Sequence, residues 1–176
     1  MAIIVCPLSR APHIARERQP SHVVSLLDPG TPFPVIEGHA DERHLRLEVH
    51  DIAAEMEGLD AVCDQRISRI LDFVSGWSRE APILIHCYAG ISRSTATAFI
   101  TACAHNPGQD EEEIALALRA ASQTATPNRR FVALADAALG RGGRMSRAVE
   151  AIGFGAPRWP DIAEAQPFTM ASRFGA

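Results

Sequence analysis

Cys87 and Arg93 stand six positions apart and are separated by the stretch YAGIS. A cysteine thiolate is a nucleophile, and the planar guanidinium group of arginine binds two oxygens of an oxyanion at once. Ser94 follows directly, and its hydroxyl group can donate a hydrogen bond to the cysteine sulfur. The three residues therefore predict a site where Cys87 attacks the central atom of an oxyanion, such as a phosphate group, that Arg93 holds.

The flanking sequence predicts a strand, a loop and a helix around this pair. Residues 83–85 are a short apolar run, which is typical of a strand buried on both faces, and residues 94–103 have helical spacing. The amide groups and the dipole at a helix start favour bound anions. Together with Arg93 they are expected to lower the pKa of the Cys87 thiol from about 8.5 to roughly 3.5–7.5. Gly90 allows the loop to turn without a Cβ atom in the anion cradle.

The pattern His86-Cys87-x-x-Gly90-x-x-Arg93-Ser94 resembles the signature of the cysteine-dependent protein tyrosine phosphatase superfamily, and the small dual-specificity members are closest in length. The resemblance implies an α/β fold with a central, mostly parallel sheet of about four to five strands flanked by helices. It implies a phosphoprotein phosphatase that forms a cysteinyl-phosphate intermediate on Cys87 and uses no cofactor or metal. It also implies that His86 and Ser94 support a phosphate-binding loop made of Tyr88, Ala89, Gly90, Ile91, Ser92 and Arg93.

The superfamily also carries a general-acid aspartate upstream of the cysteine, on a loop after a strand. Residues 44–49 alternate between apolar and polar side chains, which predicts a strand, and Asp51 follows thirty-six residues before Cys87. An acid there protonates the leaving-group oxygen as the P–O bond breaks. The alternative role for Asp51 is a cap of the next helix. Asp60 is the second candidate for the acid, and Asp41 is a more distant one.

A third match to the family lies downstream, where Pro127-Asn128 resembles the segment that opens the last core helix. We expect this feature to be structural. His86 is not expected to bind a metal, because no second ligand stands at suitable spacing near it.

Composition is consistent with one domain that has a real core and excludes several other classes. The chain has 176 residues, a net charge of −4 and a pI near 6.0, so no bias toward nucleic acid is present. All 17 basic residues are arginine, which together with the many alanines suggests a GC-rich bacterial genome. No apolar run is long enough for a membrane span, and residues 1–6 are interpreted as a first strand rather than a signal peptide.

The four cysteines show neither CxxC pairs nor the spacing of a disulfide framework, which favours a reducing cytoplasm. Cys6, Cys63 and Cys103 lie in apolar surroundings and are interpreted as small core residues. A second interpretation stays open, in which one of them forms a disulfide with an oxidised Cys87.

Strands and helices alternate along the chain, which predicts a parallel sheet whose carboxyl edge carries both Cys87 and Asp51. The predicted strands are residues 3–6, 22–27, 44–49 and 83–85. The predicted helices are residues 12–18, 59–77, 94–103, one beginning at the acidic run 110–113, and a final core helix at 128–139.

We divide the chain into a catalytic domain, residues 1–140, and a C-terminal extension, residues 141–176. Trp159, Phe168 and Phe174 are expected to pack back on the domain, with a dimer contact as the alternative; the chain is thus expected to be a monomer or homodimer. Trp159-Pro160-Asp161 spells the acid-loop motif of larger tyrosine phosphatases, but it follows the signature cysteine and is interpreted as coincidental.

Several functions remain to be distinguished. A phosphate-binding pseudophosphatase would keep Arg93 but lose the nucleophile or the acid, whereas both are present. Arsenate reductases and sulfurtransferases also use cysteine-led loops. The loop carries no cation besides Arg93, which disfavours a specialist for inositol phosphates or phosphoinositides. A phosphatase that acts on a non-protein phosphomonoester stays open as an alternative. The expected substrate is phosphotyrosine in a protein, with phosphoserine and phosphothreonine left open, and neither nucleic acid nor membrane is an expected partner.

Overall fold

A five-stranded sheet forms the centre of the chain, seen in a computed structural model that describes residues 1–158 and 161–175. The strand order is β3-β2-β4-β1-β5, and the first four strands are parallel while β5 is antiparallel to β1. This confirms the predicted mostly parallel sheet. The strands are Ala2–Pro7 (β1), His22–Leu27 (β2), His44–Glu48 (β3), Ile83–Cys87 (β4) and Phe168–Ala171 (β5).

Helices cover both faces of the sheet. The α-helices are Ala11–Arg18 (α1), Asp64–Ser75 (α2), Arg93–His105 (α3), Glu111–Ala121 (α4), Arg129–Ala138 (α5) and Arg144–Ile152 (α6). Alternate side chains of a strand point to opposite faces, so Ile4 of β1 packs in the cluster with α1 and Ile3 packs in the larger cluster on the other face. In the larger cluster α3 is buried from Arg93 to Cys103, which fixes the helix that follows the signature loop.

One predicted helix begins later than expected. The helix predicted over residues 59–77 starts at Asp64, because residues 59–63 extend alongside the loop that follows β3. The Asp60 N–H donates to Nδ1 of His50 at 2.8 Å, and the His50 N–H donates to the Asp60 carbonyl at 2.9 Å. These two bonds brace the loop that carries Asp51.

The segment after residue 140 contributes α6 and the edge strand β5. Phe168 and Phe174 are half-buried and pack against the main core. Trp159 and Pro160, the first two residues of the Trp-Pro-Asp motif, lie outside the described residues. No helix of the described chain is long and apolar enough to cross a membrane.

Candidate active site

The loop between β4 and α3 is held tightly against the end of β1. Cys87 closes β4 and Arg93 opens α3, and their side chains are almost completely buried. Gly90 has a φ of +73°, and a Cβ atom added there would lie 2.8 Å from the backbone nitrogen of Pro7. Only glycine fits both the left-handed conformation and this close approach, so Gly90 determines where the loop lies.

The sulfur of Cys87 is surrounded by hydrogen-bond partners that suit an anion. The Gly90 N–H donates to Sγ at 3.3 Å, and the Ser94 hydroxyl lies 3.1 Å from it. The positive end of the α3 dipole adds to these contacts. Two hydrogen-bonding groups and the start of α3 thus converge on the Cys87 sulfur.

The guanidinium group of Arg93 is fixed along one edge. Nη1 donates to Oδ1 of Asp28 at 2.9 Å and to the Val49 carbonyl at 2.7 Å. Nε is buried, lies 3.9 Å from Oδ2 of Asp51, and has no hydrogen-bond partner among the described residues. Buried donors are rarely left unpaired, so Nε is one donor of this arginine that is still free for an incoming oxyanion.

Asp51 faces the same cleft as the cysteine and the arginine. Its Oδ1 accepts hydrogen bonds from the Ser92 hydroxyl at 2.7 Å and from Nδ2 of Asn128 at 2.8 Å. Asp60 and Asp41 do not line this cleft; they lie beside Arg66 and Arg46, respectively. Asp51 is thus the one of the three predicted acids that lies near Cys87.

The resulting cleft has a volume of about 440 Å³. Every residue predicted for the phosphate loop lines it except Gly90, whose N–H donates to the Cys87 sulfur. Tyr88 is 61% exposed and forms part of the cleft wall. The lining residues are Asp28, Asp51, Cys87, Tyr88, Ala89, Ile91, Ser92 and Arg93.

His86 lies beneath the loop in a buried polar network. Its Nε2 is 2.6 Å from the Ser25 hydroxyl, which is 2.8 Å from Nε2 of His44. One hydroxyl proton serves both contacts, so Ser25 donates to one imidazole and accepts from the other. Burial lowers the pKa of each histidine to about 4, which keeps both imidazoles neutral at physiological pH. The side-chain hydrogen bond of His86 thus goes to Ser25 of β2, and its role in orienting the loop stays a prediction.

Two residues of the site were not identified from the sequence. Asp28, predicted only as part of a loop, binds Arg93; its position directly after the buried strand β2 is the signal that could have identified it. Asn128 was predicted only to open a helix. Its Oδ1 does accept from the N–H groups of Arg130 and Phe131 at the start of α5, while its Nδ2 holds Asp51.

The other cysteines lie outside the cleft. All four cysteines are free. Burial raises the pKa of Cys6 to about 12 and also raises that of Cys103, while Cys63 is half-buried. Thiols with raised pKa values are poor nucleophiles at neutral pH. Among the described residues no group of three or more His, Cys, Asp or Glu side chains is arranged to hold a metal ion.

No protein-family profile and no curated protein sequence matches this chain. Solved structures do match it. A human tyrosine phosphatase-like serine/threonine/tyrosine-interacting protein has a TM-score of 0.61 and 18% identity over 80% of this chain and 92% of that one. Human DUSP28 has a TM-score of 0.60 and 18% identity, covering 79% and 88% of the two chains. PTPMT1 in complex with PI(5)P has a TM-score of 0.53 and 11% identity, covering 85% and 91%.

At such low sequence identities the similarity to these structures shows the fold alone. It confirms the fold that the signature resemblance implies. The chain therefore has the fold of the small dual-specificity phosphatases in the cysteine-dependent protein tyrosine phosphatase superfamily.

Proposed function

We propose that this chain is a cysteine-dependent phosphatase that hydrolyses phosphotyrosine in proteins. The observation that carries the proposal is that Cys87, Arg93 and Asp51 line one cleft, with Nε of Arg93 3.9 Å from Oδ2 of Asp51. A phosphate group bound to the loop amides and Arg93 would have the sulfur on one side and the acid near its leaving oxygen.

The proposed reaction has two steps. In the first, the Cys87 thiolate forms a bond to phosphorus, the bond from phosphorus to the phenolic oxygen breaks, and Asp51 gives its proton to that oxygen. In the second, water attacks the cysteinyl-phosphate, Asp51 takes a proton from the water, and inorganic phosphate leaves as the thiolate is restored. Ser92 and Asn128 hold Oδ1 of Asp51, so Oδ2 is the oxygen assigned to proton transfer.

The walls of the cleft support a phosphorylated protein side chain as substrate. Tyr88, Ala89, Ile91 and Ser92 add no cation to Arg93, whereas inositol phosphates carry several negative charges. The exposed ring of Tyr88 offers a surface for an aryl group. A phosphoinositide is the second candidate, because one solved structure of this fold holds PI(5)P.

The proposal is tested with p-nitrophenyl phosphate, arsenate and thiosulfate assayed side by side. We expect turnover of the aryl phosphate alone, and we expect Cys87→Ser to abolish it while phosphate binding remains. Asp51→Asn should slow aryl phosphates in proportion to the basicity of their leaving groups, since poor leaving groups need the proton most. Full activity of Cys87→Ser would overturn the proposal. Phosphate binding by the unaltered chain without turnover would favour a pseudophosphatase.

A further inference from the structure

The C-terminal extension reaches the loop between β4 and α3 through a backbone hydrogen bond. The Ala165 N–H donates to the Ala89 carbonyl at 2.8 Å. Ala165 is 3% exposed, and a buried N–H group is rarely left without a partner. The extension therefore holds the backbone of the loop that carries Cys87, and the proposed reaction does not yet give this contact a role.

The Ala89 carbonyl shares a peptide group with the Gly90 N–H. This peptide bond is trans, and in a planar trans peptide group the C=O and N–H bonds point in opposite directions. Because the carbonyl points to Ala165, the N–H points to the other side, where it donates to the Cys87 sulfur at 3.3 Å. One rigid peptide group thus connects the extension to the proposed nucleophile.

The preceding peptide group of the loop is held from the end of β1. The Leu8 N–H donates to the Tyr88 carbonyl at 3.1 Å, which turns the Ala89 N–H to the opposite side. The two segments that hold the loop are also joined to each other, because the Ser9 hydroxyl donates to Oε2 of Glu164 at 2.7 Å. Two consecutive peptide groups are therefore oriented from outside the loop by two segments that contact each other.

The position of Ala165 is set by the sheet. The strand β5 begins three residues later and pairs antiparallel with β1, with Phe168 opposite Val5. The same strand β1 pairs with β4, which leads into the loop, with Pro7 opposite Cys87. The extension and the loop are therefore aligned on one shared strand, which places the Ala165 N–H at the Ala89 carbonyl.

We propose that the backbone amide of Ala165 is a positioning group of the active site, which keeps the Gly90 N–H turned toward the Cys87 sulfur and the bound oxyanion. The inference rests on the proposed function. The Ala89 carbonyl accepts no other hydrogen bond within residues 1–158 and 161–175, so without this donor its peptide group is free to rotate. Rotation would remove a preorganised donor from the place where negative charge develops during the reaction. The C-terminal extension is then part of the catalytic unit.

The test removes the Ala165 N–H alone from the full chain. Lactic acid is incorporated in place of Ala165, which replaces the N–H by an ester oxygen and keeps the methyl side chain. The matched control carries lactic acid in place of Ala163, an exposed alanine whose N–H donates to no backbone carbonyl within the described residues. Both esters are compared with the unaltered chain by urea unfolding, by kinetics with p-nitrophenyl phosphate and by calorimetric binding of orthovanadate.

We expect the Ala165 ester to lower kcat by roughly tenfold relative to the Ala163 ester, about the effect of one hydrogen bond to a charged group. The change in KM should be smaller, because oriented loop amides contribute most in the transition state. Orthovanadate should bind more weakly by a similar factor. A role in stability alone would lower the midpoint of urea unfolding and leave kcat and orthovanadate binding at the control values, which would overturn the inference.

A second pair of variants leaves the Ala165 amide in place and tests the contact between the two holding segments. Glu164→Ala removes the acceptor of the Ser9 hydroxyl and should lower kcat by a smaller factor, and Glu164→Gln, which keeps an acceptor, should recover most of it. If the Ala165 ester does not fold, this pair decides, and equal kcat in Glu164→Ala and the unaltered chain overturns the inference. Failure of the proposed function is distinguishable, since the unaltered chain would then not hydrolyse p-nitrophenyl phosphate while orthovanadate binding still tests the Ala165 contact.

Discussion

Replacing Gly90 with alanine tests two requirements that the loop places on the residue at this position. The first requirement is conformational: a φ of +73° costs a residue with a Cβ atom about 1 kcal/mol. The second is steric, because the added atom would lie 2.8 Å from the Pro7 nitrogen and 3.0 Å from the Cys6 carbonyl carbon. Both belong to the backbone of a buried strand, so relief of the overlap adds about 1–3 kcal/mol.

Gly90→Ala is therefore expected to lower the free energy of unfolding by about 2–4 kcal/mol, or to move the loop. If the loop moves, the Gly90 N–H leaves the Cys87 sulfur, and the amides that we propose to bind phosphate lose their alignment. We then expect kcat/KM for p-nitrophenyl phosphate to fall by roughly 10–100-fold, since a small misplacement in an active site costs this much. Urea unfolding and steady-state kinetics measure the two losses.

Gly142→Ala is the matched control. Gly142 has a φ of +58°, is exposed, and has no atom within 4 Å of the position that a Cβ would take. This variant should lose about 1 kcal/mol and keep its kinetics. If Gly90→Ala matches Gly142→Ala in both stability and kcat/KM, the argument that contact with β1 fixes the loop is refuted.

Two further substitutions test contacts around the loop. Asp28→Ala removes the acceptor from Nη1 of Arg93. Because the Asp28 carboxylate is 43% exposed, we expect kcat/KM to fall by roughly tenfold and to be partly restored in Asp28→Asn. Equal kinetics of the unaltered protein and both variants would contradict this expectation. His44 and His86 have pKa values lowered to about 4 by burial. Between pH 6.5 and 4 the unfolded chain binds protons that the folded chain does not, so stability falls as the pH falls. His44→Asn should make this fall shallower in urea titrations, and an unchanged slope would contradict the assignment.

The parts of the fold that depend on local sequence could be predicted. The strand over residues 22–27 was predicted with the bounds that β2 has, because it is a compact apolar run bounded by polar and proline residues. The edge strand β5 was missed. It is four residues long and half-exposed. It forms only because it pairs with the edge of β1, and that pairing joins segments far apart in the chain.

The same distinction applies to the site. Cys87 and Arg93 could be singled out because their spacing is local, whereas the contact of Asp28 with Arg93 requires β2 to lie next to β4. Sequence periodicity does not report strand order. Glu111 is a further example: predicted as part of a solvated helix start, it is almost completely buried and pairs with Arg141 and Arg144 at 3.0 Å each. These arginines lie about thirty residues away in the chain.

The central claim is that Cys87 becomes covalently phosphorylated during turnover. Asp51→Asn is the variant of choice with p-nitrophenyl phosphate, because nitrophenolate leaves without a proton while the second step still needs a base. After rapid denaturation during turnover, mass spectrometry should find one phosphoryl group on the peptide that contains Cys87. An unmodified Cys87 peptide throughout turnover, or a phosphoryl group on another residue, would contradict the account.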